Sequence, residues 1–149
     1  MVLVDTSVWV AHLRHGDIGL EPLLNEGRVV CHPFIICELA CGNLKHRSEI
    51  LVHLQALPQA IPAEHEEVMQ FIENYGLVGK GLGYIDMHLL ASALLTKVPL
   101  WTLDKKLAGP QSPVYRGRVG TAALEQCLAY SDDLSRGLCQ FRPPIFQSP

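Results

Sequence analysis

Apolar residues occur along this chain in short unbroken blocks, alternating with longer stretches that are apolar on one side only. Residues 1–4 (MVLV) form the first block and stop at Asp5, the pattern of a strand buried on both faces. Val8, Trp9, Ala11 and Leu13 follow at helical spacing, and Thr6 or Ser7 suits the N-cap. A second short helix is expected over residues 18–26, closed by Gly27, and a second strand over 29–32. Pro33 then suits the first turn of a helix that runs over 34–45. Helices over 48–57 and 62–75 come next. The latter opens on Pro62-Ala-Glu-His-Glu-Glu, with acidic residues at the positive end of the helix dipole, and ends at Gly76. The loop GLVGKGLG (76–83) leads into 84–97, the clearest helical stretch. Residues 99–103 read as a strand ending at Asp104, and 105–108 as the start of a helix. Strands alternating with helices predict an α/β domain with a central, mostly parallel sheet.

The pattern changes at Gly109. GPQSPVYRGRVG is loop-like, 121–130 suits a short helix, and FRPPIFQSP has the composition of a disordered terminus. The expected organisation is therefore a domain over residues 1–108 and a C-terminal segment, 109–149, that completes it only in part.

A chain of 149 residues is long enough for one sizeable core. The mean hydropathy of +0.17 points to a buried sheet, or to apolar surface that a partner covers. The net charge of −3 lacks the basic excess common in nucleic-acid binders, so any RNA contact would rest on local basic groups and metal. The cysteines, Cys31, Cys37, Cys41, Cys127 and Cys139, are odd in number and form no CxxC pair. Three lie in apolar stretches, where a reduced thiol acts as a small hydrophobe, and this suggests a reducing cytoplasm. The N-terminus reaches Asp5 too early for a signal peptide, and the apolar run 34–41 contains Glu38 and is far too short to span a bilayer. The expectation is a soluble cytoplasmic protein that makes no membrane contact.

Most acidic residues keep polar company, but four do not. Asp5 ends VLV, Glu38 interrupts FIICELAC, Asp86 opens a helix whose side carries Leu89, Leu90, Ala93 and Leu94, and Asp104 ends PLWTL. An unpaired buried carboxylate costs several kcal/mol, so such groups are paired, hydrogen-bonded or metal-bound. Ligands of open α/β sheets bind beyond the carboxyl ends of strands, where Asp5 and Asp104 fall. With no evident Lys or Arg partner, the four suggest a site for a hard cation, Mg²⁺ or Mn²⁺. The competing reading is capping, of the following helix by Asp5 and Asp104 and of its own helix by Asp86. Thr6, Ser7 and Thr102 supply adjacent hydroxyls, either to orient a carboxylate or water or to make local turn bonds.

These segments carry a family resemblance. VLVDTSVWV, ELACGNL, GLGYIDMHLLASALL and LWTLDKKL resemble, in that order, the motifs of PIN-domain nucleases, and within them VapC-type toxins of toxin–antitoxin pairs. The similarity covers residues 1–108. It implies a three-layer α/β/α sandwich and Mg²⁺- or Mn²⁺-dependent endoribonuclease activity. It also implies inhibition by a cognate antitoxin that covers the site, and a homodimer or a hetero-oligomer with that antitoxin. Carried over by position, Asp5, Glu38, Asp86 and Asp104 match the family's acids, and Ser7 and Thr102 its hydroxyl positions. The departure is at GPQSP, which breaks the final helix early and puts the last strand in doubt.

Other motifs fall away. Gly79-Lys80-Gly81 lacks the hydroxyl and the preceding strand of a phosphate loop, and His65-Glu66 is followed at 69 by Met, not the second His of a zincin. Cys31, His32, Cys37, Cys41 and His46 are too irregularly spaced for zinc. A haloacid-dehalogenase-type phosphotransferase needs an acid where Ser7 stands. Arg14, His15, Lys45, His46, Arg47, Lys80, Lys105 and Lys106 suit RNA phosphates or, equally, solvated helix ends. Trp9 and Trp101 read as core. Two alternatives to a toxin stand: a PIN-fold RNA-processing nuclease outside a toxin pair, and a catalytically weak RNA- or protein-binding module.

Overall fold

In the computed structural model, residues 1–16 and 19–107 and the backbone of 114–115 are described. Four short parallel strands form one sheet: β1 (Val2–Val4), β2 (Val29–Val30), β3 (Leu100–Trp101) and β4 (Val114–Tyr115), in the order β2-β1-β3-β4. The helices are α1 (Thr6–His15), α2 (Leu20–Asn25), α3 (Pro33–Cys41), α4 (Arg47–Ala56), α5 (His65–Asn74) and α6 (Tyr84–Thr96). From β1 the chain crosses to β2 on one side, then passes back over β1 to β3. Parallel crossovers are almost always right-handed, and two that run in opposite directions put helices on both faces, the expected three-layer α/β/α arrangement.

The strands are apolar because both faces are covered, and Val2, Leu3, Val4 and Leu100 are fully buried. Register follows from the pairs Val2↔Val29, Leu3↔Leu100 and Val4↔Trp101. Beyond β2, a parallel bridge joins Cys31 to Gln59, with Cys31 N–H donating to the Pro58 carbonyl at 2.8 Å and Ala60 N–H to the Cys31 carbonyl at 2.8 Å. Helix α6 is buried continuously from Met87 to Leu94, so it behaves as a core element rather than an amphipathic one. The buried sheet expected from the positive hydropathy is present, and the described residues also leave apolar side chains around an open groove. The groove, of about 670 Å³, runs between α1, α2 and α4, lined by Trp9, Leu13, Leu24, Ile50 and Val52 among others.

Pro33 opens α3 as expected, at a position where a missing N–H costs nothing. Several expectations are corrected. Of the caps offered for α1, Asp5 rather than Thr6 or Ser7 is the N-cap, as the capping reading of this acid has it: its carboxylate accepts from Ser7 N–H. Residues 105–107 form a turn, not a helix, because the Asp104 carboxylate accepts the Lys106 N–H at 2.9 Å and closes an Asx turn. Cys37 and Cys41 are exposed, and only Cys31 of the three described thiols is core. The last strand, in doubt from GPQSP, is present as β4, paired with β3 through Leu100↔Val114. The proposed helix over 121–130 and the 109–149 segment otherwise lie outside the described residues, as do Cys127 and Cys139. Among the described residues no helix is long and apolar enough to cross a membrane.

Candidate active site

The reversal of strand order falls between β1 and β3. Because Val4 pairs with Trp101, the next residue of each strand, Asp5 and Thr102, also come side by side. Asp5 N–H donates to the Trp101 carbonyl at 2.9 Å and continues the ladder one step past β1. A crevice at this point is the usual ligand position in open α/β sheets.

Three donors converge on one oxygen of Asp5. Its Oδ2 accepts from Ser7 Oγ at 2.5 Å, from Thr102 Oγ1 at 2.7 Å and, longer, from Ser7 N–H at 3.3 Å. Each hydroxyl has one proton, and both protons point at Asp5, so the 3.3 Å approach of Ser7 Oγ to Thr102 Oγ1 is no further bond. The same hydroxyls accept in turn: Ser7 Oγ from Leu103 N–H at 3.0 Å, and Thr102 Oγ1 from Asp104 N–H at 3.0 Å. The network therefore fixes the backbone that presents Asp104. Asp5 is 7% exposed, yet its Oδ1 takes no hydrogen bond from any described residue.

Glu38 lies one turn inside α3 from Phe34 and is half-buried; Thr6 Oγ1 donates to its Oε2 at 2.5 Å. Thr6 thus ties Glu38 to the residue following Asp5. Asp86, also half-buried, accepts the Gly83 N–H at 2.8 Å through Oδ2 and so closes the first turn of α6. No described hydrogen bond joins it to the other acids. Asp104 is exposed, because β3 ends at Trp101 and leaves it in the turn that follows. The expectation of four acids in apolar burial is corrected accordingly: only Asp5 is buried, Glu38 and Asp86 are half-buried, and Asp104 is exposed.

Among the described residues, none of these carboxylates has a Lys or Arg hydrogen-bonded to it. No three His, Cys, Asp or Glu side chains among those residues are grouped so as to hold a metal. The zinc candidates Cys31, His32, Cys37, Cys41 and His46 are likewise not assembled. The acids' chemistry still fits a hard cation: the donors are all oxygen, one is buried without a counter-charge, and Mg²⁺ ordinarily keeps several waters and takes only one or two carboxylates.

His32 has a structural role that the sequence did not disclose. It is the N-cap of α3, its Nδ1 accepting from Phe34 N–H at 3.1 Å, while Nε2 meets Ser92 Oγ at 3.2 Å. Ser92 Oγ also accepts from Ala63 N–H at 3.0 Å. The ring is 1% exposed, and burial, with the nearby His88 adding to it, pushes its pKa down to about 4. Burial similarly raises the Cys31 thiol to about 11, which leaves it inert. Arg47 Nε donates to the Ala40 carbonyl at 2.9 Å, so this candidate phosphate contact serves the C-terminal end of α3.

The PIN domain family matches residues 2–110. Two curated relatives, both named Ribonuclease VapC32, from Mycobacterium tuberculosis strains CDC 1551 / Oshkosh and ATCC 25618 / H37Rv, are 45% identical to this chain over 108 residues. Those residues cover 72% of this chain and 87% of each relative.

Proposed function

Because the chain belongs to the PIN domain family, we propose that it is a Mg²⁺- or Mn²⁺-dependent endoribonuclease, the toxin of a type II toxin–antitoxin pair. The observation that carries the chemistry is the strand-order reversal at which Asp5 and the 102–104 segment meet. The ribonuclease reading is supported by the relatives' name and by the order of the acidic motifs. Its substrate is cellular RNA, and a cognate antitoxin covers the site. A homodimer, or a hetero-oligomer with the antitoxin, in the cytoplasm fits the same reading.

Asp5, Glu38, Asp86 and Asp104 would hold the cation, directly or through water. When bound, it supplies Lewis acidity at the scissile phosphate and lowers the pKa of a water. The protein's own contribution is orientation. Ser7 and Thr102 hold Asp5 by Oδ2 and leave Oδ1 for the ligand, Thr6 steadies Glu38, and the Asx turn fixes Asp104. One of the acids accepts the proton of the attacking water.

The test is cleavage of total RNA by the purified protein in Mg²⁺. Asp5→Asn and Asp86→Asn should each abolish cleavage and growth inhibition while the fold survives, since an amide oxygen still accepts from Ser7 or Gly83. Full Mg²⁺-dependent activity in both variants would overturn the assignment.

A further inference from the structure

Four rings form a cluster where α3 and α6 meet. Tyr84 lies 4.4 Å from His88 (ring centroids) at 51° and 6.0 Å from Phe34 at 32°, and Phe34 lies 5.0 Å from both His88 and His32. These separations are those of interacting aromatic pairs. The cluster is sealed at its base and open at its top. His32 is 1% exposed and His88 4%, Phe34 is half-buried, and Tyr84 is 64% exposed.

Its position matters more than its exposure, since single exposed aromatics are ordinary. Tyr84 shares the first turn of α6 with Asp86, whose carboxylate folds back onto the Gly83 N–H, and Phe34 lies one helical turn before Glu38 on α3. The cluster therefore bridges the two helices that carry half of the acidic set. Both ring-bearing ends are rigid. The Tyr84 backbone is held in a closed first turn by the Gly83–Asp86 bond and by Met87 N–H donating to the Gly83 carbonyl at 3.1 Å. Phe34 N–H is held by the His32 cap. An aromatic ring fixed by its neighbours presents a face with little conformational entropy left to lose.

We propose that Tyr84, supported by Phe34 and His88, is the stacking platform for an unpaired base of the RNA beside the scissile phosphate. This rests on the ribonuclease reading above. The ring cluster offers a hold that needs no charge, in a chain of net charge −3. Stacking needs no counter-charge and tolerates any base, because every base has a π-face. The platform would thus act on affinity and on the requirement for a single-stranded site, not on the chemical step.

The probe is a single-stranded oligoribonucleotide spanning a mapped cleavage site, compared with versions abasic at each flanking position. Tyr84→Ala should raise KM about tenfold, within the range base–aromatic stacking gives, with kcat changed little. Tyr84→Phe should restore wild-type KM. One abasic substrate should raise KM for the wild type by a similar factor and remove the difference between wild type and Tyr84→Ala. Tyr84→Phe should melt with the wild type, and Tyr84→Ala, which loses the ring contacts with His88 and Phe34, a few degrees lower, so KM is compared at a temperature where all three are folded. Unchanged KM in Tyr84→Ala, with the wild type cutting normally, overturns the platform and leaves the ribonuclease reading standing. So does a loss confined to antitoxin binding, or a Tyr84→Phe as defective as Tyr84→Ala. A wild type that cuts no RNA removes the platform together with its premise.

Discussion

Thr102→Val separates a carboxylate that is held by hydroxyls from one that is merely enclosed. Thr102 is fully buried, and its Oγ1 donates to Asp5 Oδ2 at 2.7 Å and accepts from Asp104 N–H at 3.0 Å. Valine keeps the branched shape and removes the hydroxyl. A hydrogen bond to an ionised group contributes about 1.5–3 kcal/mol, and the neutral one about 1 kcal/mol, partly recovered by water at the exposed Asp104. The expected loss is therefore about 2–4 kcal/mol. For a chain of this size that corresponds to a fall in Tm of roughly 5–15 °C. Thr102→Ser keeps the hydroxyl and loses one methyl, a cost of about 1 kcal/mol. Urea unfolding followed by circular dichroism, with the slope unchanged among the three proteins, gives the order. Wild type should be the most stable, serine next and valine last, although valine is the most apolar of the three. A valine variant as stable as the serine variant would refute the reasoning, for it would mean that the 2.7 Å bond does not hold Asp5.

Mg²⁺ at about a hundred times its Kd should stabilise the wild type by about 2.7 kcal/mol, or roughly 5–10 °C in a thermal melt. NaCl of matched ionic strength should give none of this, and Asp5→Asn should lose most of it; a wild-type melt indifferent to Mg²⁺ counts against the hard-cation site. Stability should also fall in mild acid through His32. Its folded pKa, about 4, lies below the ordinary 6.5, so the unfolded chain binds the proton first. The contribution is complete above pH 6.5 and is lost as pH falls toward 4, with a total on the order of 3 kcal/mol for this fully buried ring. His88 is shifted the same way by burial and adds a slope of the same sign. His32→Asn, which still offers a capping oxygen, should flatten the urea midpoint between pH 7 and 4.5 to the His88 part; an unchanged slope would contradict the assignment.

Where one interaction dominated, the sequence was a good guide. β1 and the switch-point acid Asp5 were legible because a run of apolar residues ending in a carboxylate has few other uses. α6 was legible from its length and its lack of breakers. Element ends were harder. The cap of α1 stayed open between a hydroxyl and Asp5 because Asp5, Thr6 and Ser7 are all good caps, and only the Ser7 N–H bond to Asp5 separates them. Residues 99–103 are apolar enough for a full strand, yet the ladder stops at Trp101, because Thr102 and Leu103 are claimed by Asp5 and Ser7. Apolar neighbours in sequence also overstated burial. Cys37 and Cys41 flank Ile36 and Leu39 but face outward on α3, and Asp104 follows a buried strand into an exposed turn. The aromatic cluster was not visible because it joins residue 34 to residues 84 and 88, a pairing that no local period encodes.

The structural and the chemical readings of Asp5 are compatible once its two oxygens are considered separately. Oδ2 is committed: it caps α1 and takes the Ser7 and Thr102 hydroxyls, which is what a helix N-terminus at a strand end needs. Oδ1 takes no described donor, so one oxygen of the acid at the strand-order reversal is left to water or a ligand. A carboxylate kept only for capping would gain from a second donor or a nearby Lys, and evolution of a more stable fold has such residues within easy reach. Asp86 repeats the division, with Oδ2 on Gly83 N–H and Oδ1 uncommitted, and so does Glu38, with Oε2 on Thr6. In each of the three acids one oxygen is anchored by a described residue and the other takes no described donor, an arrangement that suits both capping and a ligand. Anchoring lowers the entropy that a ligand would otherwise have to overcome, so under the proposed function the open oxygens are the ones that would meet a cation.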